Sequence, residues 1–293
     1  MRAVQIDRHG GIDVLTLREV PVPVPAAGEV LVRTVASSIN PVDWKTRAWD
    51  RGPDFPMTLG WDLAGVVADS TVLQLTPGDR VVAMSGQLAT GLGTWADLVA
   101  VPARILTAAP TRLSLVEAAA LPLAGLTASQ ALQRIKPVAG ERILVTGAIG
   151  GVGSLAVQLA RRSGARVDGL VSRLAHVPAV RELGAELVTD RVADLPAAAY
   201  DAVFDTASVH PGPALIPGGR YLSITDDPLP ADIPGAVKIQ IREDVRGLAD
   251  LVSMVDAGEL RVRVGAYHRV DDVHRAHRVF EAGGLVGKVV LTF

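Results

Sequence analysis

The sequence predicts an α/β protein: a doubly wound parallel sheet that follows a smaller all-β domain. Three observations carry this. Residues 142–163 run from an apolar strand through a glycine-rich turn into a helix. From residue 114 onward, strand and helix patterns alternate, the grammar of βαβ units. The first third is instead a run of short strands punctuated by Gly and Pro.

Taken in order, Val4–Ile6 is a strand followed by a turn at Gly10-Gly11, and Pro21–Pro25 is an extended edge segment that cannot be helical. Val30–Ala36, Leu63–Ala68 and Arg80–Ala83 are strands, the last after the turn signal Thr76-Pro77-Gly78-Asp79. Ser114 with Glu117 three residues on has the capping-box form and opens a helical region that continues through Leu123–Ile135. Strands at Arg142–Thr146, Arg166–Val171, Glu186–Thr189, Ala202–Asp205 and Arg220–Ile224 then alternate with helices at Gly151–Ser163, Val177–Leu183 and Glu243–Ala257. A helix over Asp271–Ala282 and a strand over Lys288–Phe293 close the chain.

Composition narrows the function classes. At 293 residues the chain is long enough for two domains and a large core. A net charge of −2 provides no basic field for nucleic acid or an anionic membrane. No apolar stretch is long enough to span a bilayer, and the start does not read as a signal peptide, so a cytoplasmic location is expected. With no cysteine, disulfides, thiolate nucleophiles and Cys-ligated zinc are excluded.

The segment Ile143-Leu144-Val145-Thr146-Gly147-Ala148-Ile149-Gly150-Gly151-Val152-Gly153 has the order that a dinucleotide diphosphate requires. Small residues let the backbone turn tightly and approach the phosphates, and the helix start offers unpaired N–H groups and a partial positive charge. Its spacing is G-x-x-G-x-x-G, not the more familiar G-x-G-x-x-G. NAD enzymes place an acid at the end of the next strand, on the ribose hydroxyls. Here that strand ends Leu170-Val171-Ser172-Arg173, with His176 three residues on. A hydroxyl and a guanidinium suit a 2′-phosphate, so NADPH is expected as the cofactor. Asp168, the nearest acid, sits mid-strand, where alternation turns it from the strand's end.

With their flanks, these residues resemble the zinc-independent quinone oxidoreductase branch of the medium-chain dehydrogenase/reductase superfamily. The resemblance rests on Ser38-Ile39-Asn40-Pro41-Val42-Asp43-Trp44-Lys45, Leu59-Gly60-Trp61-Asp62-Leu63-Ala64-Gly65, Pro77-Gly78-Asp79-Arg80-Val81, Gly93-Thr94-Trp95-Ala96-Asp97, Ala118–Ala128, Phe204-Asp205-Thr206-Ala207 and Gly287-Lys288-Val289-Val290-Leu291. It implies a GroES-like β-barrel domain over residues 1–113, rejoined by 265–293, and a Rossmann NADPH-binding domain over 114–264. A cleft between the two and a homodimer are also implied. Zinc-using relatives carry Cys where Asn40 stands and Gly-His-Glu where Gly60-Trp61-Asp62 stands, so no metal site is expected. His274 and His277 stand three apart on a predicted helix and read as a solvated face.

The resemblance further implies that Thr127, the backbone of Gly150, Gly151 and Val152, Ser172, Arg173, His176, Ala207, Ser223 and Lys288 contact the cofactor. It puts Asn40 beside the reacting end. Asn40 then either donates a hydrogen bond to the substrate carbonyl or simply forms an Asn-Pro turn. Lys45 either donates a proton or attracts an anionic group, or is a surface lysine. Trp44, Trp49 and Trp61 either line a flat acceptor pocket or pack in the core. Tyrosines common in quinone reductases are absent at Lys45 and near Asp190, which leaves the acceptor open. The expected function is NADPH-dependent hydride transfer to a quinone or related conjugated carbonyl. The alternatives are reduction of an activated C=C bond in an enone, enoyl thioester or polyketide intermediate, and NADPH binding without turnover.

Overall fold

The computed structural model describes residues 1–49 and 52–293. Its chain divides into two compact units: Met1–Leu123 with Arg242–Phe293, and Ala124–Ile241.

The first unit is built on a seven-stranded sheet in the order Val264–Arg269, Lys288–Thr292, Glu29–Ile39, Asp62–Ser70, Arg80–Met84, Thr107–Ala108, with Leu98–Pro102 also paired to Glu29–Ile39. Only the Val264–Arg269 and Lys288–Thr292 pair is parallel. The long strand Glu29–Ile39 organises this sheet. Its first half alternates buried Val30, Val32 and Thr34 with more exposed neighbours, as a half-covered strand should. Its last four residues, Ala36–Ile39, are all buried, where Val289–Thr292 pairs alongside. A second sheet of three strands joins Thr16–Glu19, Arg2–Ile6 and Met57–Thr58. One apolar cluster gathers Val4, Ile6, Ile39, Leu59, Trp95, Val273, Ala276, Val289 and Leu291. Another gathers Val30, Val32, Leu63, Val81, Val99 and Ile105.

The second unit is a six-stranded, wholly parallel sheet: Val188–Thr189, Arg166–Leu170, Arg142–Thr146, Tyr200–Asp205, Leu215–Ser223, Val237–Lys238. Numbered along the unit, the strand order is 3-2-1-4-5-6, the Rossmann arrangement. The order reverses between Arg142–Thr146 and Tyr200–Asp205, so the crevice at their C-terminal ends is where such a sheet binds its ligand. The fold is thus α/β, with a Rossmann sheet and a GroES-like β unit.

The predicted strands are present, mostly longer than expected. Six lie outside the predicted set: Thr16–Glu19, Met57–Thr58, Leu98–Pro102, Thr107–Ala108, Val237–Lys238 and Val264–Arg269. Five of them are short or lie at a sheet edge, where periodicity is weakest. Pro21–Pro25 belongs to no strand; Val24 there is 88% exposed. Asn40-Pro41 is not an isolated turn but the start of helix Pro41–Ala48, with Pro41 at the first helical position. Ser114 caps Leu115–Ala118 as the sequence predicts. The crossover 206–214 contains no α-helix, only a short 3-10 turn at Gly212–Ala214, because Pro211 and Pro213 block one.

Candidate active site

The glycine turn is built as its sequence requires. Arg142–Thr146 ends, Gly147 takes φ +60°, and the Gly150 amide donates to the Gly147 carbonyl at 2.9 Å. Helix Gly151–Arg162 follows, so the amides of Gly151, Val152 and Gly153 precede its first full turn and lack an intrahelical acceptor. Ser154 donates to Gly150 and begins the helical ladder. Gly153 is the tightest point. A methyl group there would lie 2.2 Å from the Gly147 carbonyl oxygen and 2.9 Å from the Ala148 Cα. At Gly150 a methyl would meet only that oxygen, at 3.3 Å.

Across the switch point stands a residue that the sequence reading passed over as a site. Asp205, 1% exposed, accepts five hydrogen bonds: from Thr146 Oγ1, the amides of Ala207 and Val209, Tyr221 Oη and Ser223 Oγ. Thr206 also donates to the Thr146 carbonyl at 2.7 Å. The carboxyl thereby ties the ends of three neighbouring strands and holds Ala207 and Ser223 in place. Burial and the Asp205 charge push the Tyr221 hydroxyl well above the usual tyrosine range. Beside Asp205 lies a cavity of about 140 Å³, lined by Ser208, His210, Tyr221, Ser223 and Thr225 among others. An acid directly closing the apolar run Ala202–Phe204 was the available signal, since a buried carboxyl needs several partners.

At the end of the second strand, Ser172 and Arg173 are exposed and His176 is buried on the turn Leu174–His176. No hydrogen-bond partner meets the buried Nδ1 of His176 among the described residues. Asp168 points elsewhere, as alternation predicts. It is 0% exposed and receives Arg142, Tyr200 Oη at 2.8 Å and the Leu187 amide at 2.9 Å. Thr127 is buried on helix Pro122–Ile135.

In the first unit, Asn40 sits in a dense polar cluster. Its backbone amide donates to Asp43 Oδ2 at 2.7 Å, and its side-chain Nδ2 donates to Asp62 Oδ2 at 2.7 Å. Lys288 Nζ donates to Asn40 Oδ1 and to the Ile39 carbonyl, and lies 3.7 Å from Asp62 Oδ2. Ser38 Oγ and the Leu123 amide also donate to Asp62. All five side chains are buried. Burial pulls the Lys288 ammonium below the ordinary lysine range, against the attraction of Asp62 and Asp43. Burial also pushes the Asp43 carboxyl up to about 8, against the Asn40 hydrogen bond and the Lys288 charge. Asp43 Oδ1 is buried with no partner among the described residues, which an uncharged carboxyl tolerates far better than an anion.

Lys45 lies elsewhere on the same helix, its Nζ 5.9 Å from the ring centres of both Trp44 and Trp49. Those two rings meet edge to face at 5.3 Å, and Trp44, Trp49 and Trp61 are all half-buried. Trp61 Nε1 is buried without a partner among the described residues.

One expectation is overturned. His277 does not belong to a solvated helix face: it is 0% exposed, because Val273, Ala276, His277 and Phe280 share the inward stripe of helix Val273–Glu281. Its Nδ1 lies 3.2 Å from buried Arg47, which also binds Glu281, and its ring packs edge-on to Trp95. Burial, with Arg47 and His274 adding repulsion, pulls the imidazole down to about 3. The folded state therefore keeps His277 neutral, whereas the unfolded chain takes up a proton near the usual value of about 6.5. Stability should be level above about pH 6.5 and fall as pH drops toward 3, by up to about 1.4 kcal/mol per unit from this group. Urea midpoints measured across pH 4–8 check this. In His277→Gln the acid limb should flatten, and an unchanged slope would refute the assignment.

Two family profiles match the chain: the alcohol dehydrogenase GroES-like domain over residues 26–111 and the zinc-binding dehydrogenase over residues 183–291. Quinone-oxidoreductase QR1 of Triphysaria versicolor is 32% identical, covering 99% of this chain and 98% of that protein. The NADPH-dependent alkenal/one oxidoreductase of Arabidopsis thaliana is also 32% identical, over 99% of this chain and 79% of that protein. A quinone oxidoreductase structure from Coxiella burnetii superposes with a TM-score of 0.88 at 27% identity, covering 100% of this chain and 99% of that one. The chain belongs to the quinone oxidoreductase-like branch of the medium-chain dehydrogenase/reductase superfamily.

The superfamily is one of nicotinamide-dependent oxidoreductases, and the Rossmann unit of this quinone oxidoreductase-like chain fits such a cofactor. Its turn is glycine where a methyl would press on backbone, and its helix start presents unpaired amides. The zinc-ligand positions hold Asn40 and Trp61, neither of which is a zinc-type donor. No group of three or more His, Asp or Glu placed to hold a metal occurs among the described residues. Nor is any helix among them long and apolar enough to cross a membrane.

Proposed function

We propose that the chain is an NADPH-dependent reductase of quinones and related conjugated carbonyls. One observation carries the cofactor choice. The end of the second strand exposes Ser172 and Arg173, while the acid within that strand, Asp168, is locked inside by Arg142, Tyr200 and the Leu187 amide. A 2′-phosphate meets a guanidinium at the position where NAD enzymes carry their ribose-binding acid.

In this reading the backbone of Gly150 and the amides of Gly151 and Val152 face the diphosphate, and Ser172, Arg173 and His176 take the 2′-phosphate. Thr127, Ala207 and Ser223 border the rest of the dinucleotide. When bound, NADPH supplies the hydride. Asn40 donates a hydrogen bond to the acceptor oxygen as charge builds there. Lys288 acts beside it, and Lys45, set between two indole rings, favours electron-rich or anionic acceptors. A second acceptor class, the activated C=C bond of an enone, is supported by the name of the Arabidopsis relative. A homodimer in the cytoplasm belongs to the same proposal, on the family resemblance alone.

Arg173→Ala tests the cofactor assignment. Charge-assisted hydrogen bonds contribute about 1.5–3 kcal/mol, so NADPH should bind about 10- to 150-fold more weakly. NADH affinity, measured by the same fluorescence titration, should barely move. Equal losses for both would overturn the reading. Turnover of 1,4-benzoquinone, a simple enone and crotonyl-CoA then ranks the acceptors.

A further inference from the structure

Asn40 is the single asparagine among 293 residues, and Lys288 is one of four lysines in a chain that carries 29 Lys and Arg together. Where these two rare residues meet, the hydrogen bonding is directional. The two ends of a carboxamide differ: Oδ1 only accepts and Nδ2 only donates. Lys288, which only donates, is bonded to Oδ1, and Asp62 Oδ2 accepts from Nδ2 at 2.7 Å. Rotating the amide by half a turn would set Nδ2 against the ammonium and Oδ1 against the carboxyl. Both contacts would become repulsive in a site where Asn40 is 3% exposed, Asp62 0% and Lys288 7%.

We infer that Asp62 and Lys288 are positioning residues that hold the Asn40 carboxamide in one orientation, leaving its second Nδ2 proton for the acceptor oxygen. Among the described residues that proton makes one long contact, 3.4 Å to the Ser38 carbonyl, weak enough for a better acceptor to displace. The pair is itself held from behind. Asp62 also receives Ser38 Oγ and the Leu123 amide, and Lys288 also donates to the Ile39 carbonyl. A side chain free to flip would present an oxygen to the substrate half the time and repel it. The clamp therefore sets the sign of the group facing the carbonyl. The catalytic part of this inference rests on the proposed reductase function; the clamp itself does not.

Because there is one asparagine, labelling the protein with [15N]asparagine gives a single pair of side-chain amide signals. In the wild type, two distinct proton resonances that exchange with solvent far more slowly than an exposed amide are expected; rapid exchange would overturn the clamp without any variant. In the charge-neutral double variant Lys288→Met with Asp62→Leu, which introduces no second asparagine, that protection should be lost. At saturating NADPH, kcat for benzoquinone should also fall about 100-fold, the scale of losing one oriented donor. Lys288→Arg, which still donates to Oδ1, should restore protection and most of kcat. Protection that persists in the double variant overturns the clamp. Protection lost with kcat unchanged supports the clamp but removes Asn40 from the acceptor. A wild type that turns over no quinone or enone, yet protects its amide, refutes the proposed function and leaves the clamp standing.

Discussion

Gly153→Ala should abolish tight dinucleotide binding and destabilise the Rossmann unit. The added methyl would sit 2.2 Å from the Gly147 carbonyl oxygen and 2.8 Å from its carbon. Both are backbone atoms of the turn that presents the amides, so relief requires the helix to move off the strand. Overpacking of this kind costs about 1–3 kcal/mol. The same shift carries the amides of Gly151 and Val152 away from the diphosphate, so NADPH and NADH should weaken together. Gly150→Ala is the control: φ is −66° and the nearest atom is 3.3 Å away. That variant should keep or slightly raise its melting temperature, because alanine narrows the unfolded ensemble. Its dinucleotide affinity should still drop, since the methyl stands where the phosphates approach. Wild-type affinity in Gly153→Ala, measured by calorimetry, would dismiss the turn as the binding element.

Asp205→Ala should be the most damaging single change in the second unit. It removes the acceptor for Thr146, Tyr221, Ser223 and two backbone amides at once. Each buried donor left unpaired costs about 1–3 kcal/mol, and partial rehydration through the adjacent cavity brings the expected total to about 4 kcal/mol. Urea unfolding gives that figure directly. Binding should suffer beyond stability, because Ala207 and Ser223 lose the group that orders them. A loss below about 1 kcal/mol would mean that water satisfies these donors and that Asp205 is dispensable.

These two residues also show how far sequence reasoning reaches. The glycine turn was readable because its chemistry is local: strand, turn and helix are contiguous, and spacing alone dictates their geometry. The end of the second strand was readable for the same reason, including Asp168 pointing inward. Asp205, Asp62 and Asp43 were seen only as members of motifs. Key partners of Asp205 and Asp62 lie far off in sequence, Tyr221 on the next strand and Lys288 near the other end of the sequence, and no periodicity reports such pairs. His277 reads as solvated in the sequence because it and His274 have no evident third metal ligand. Its burial depends on the inward stripe of Val273, Ala276 and Phe280 and on Trp95, a residue contributed from elsewhere.

The Lys288–Thr292 strand has a bearing on how the molecule comes into being. It pairs with Ala36–Ile39 and brings the ammonium that meets Asn40, 248 positions earlier in the chain. On the ribosome, residues 36–62 emerge long before their partner is synthesised. Until Lys288 emerges, burial would leave the Asp62 carboxyl without that counter-ion, which favours its staying hydrated. The polar cluster around Asn40 can therefore close only after Lys288–Thr292 has left the ribosome and paired with Ala36–Ile39.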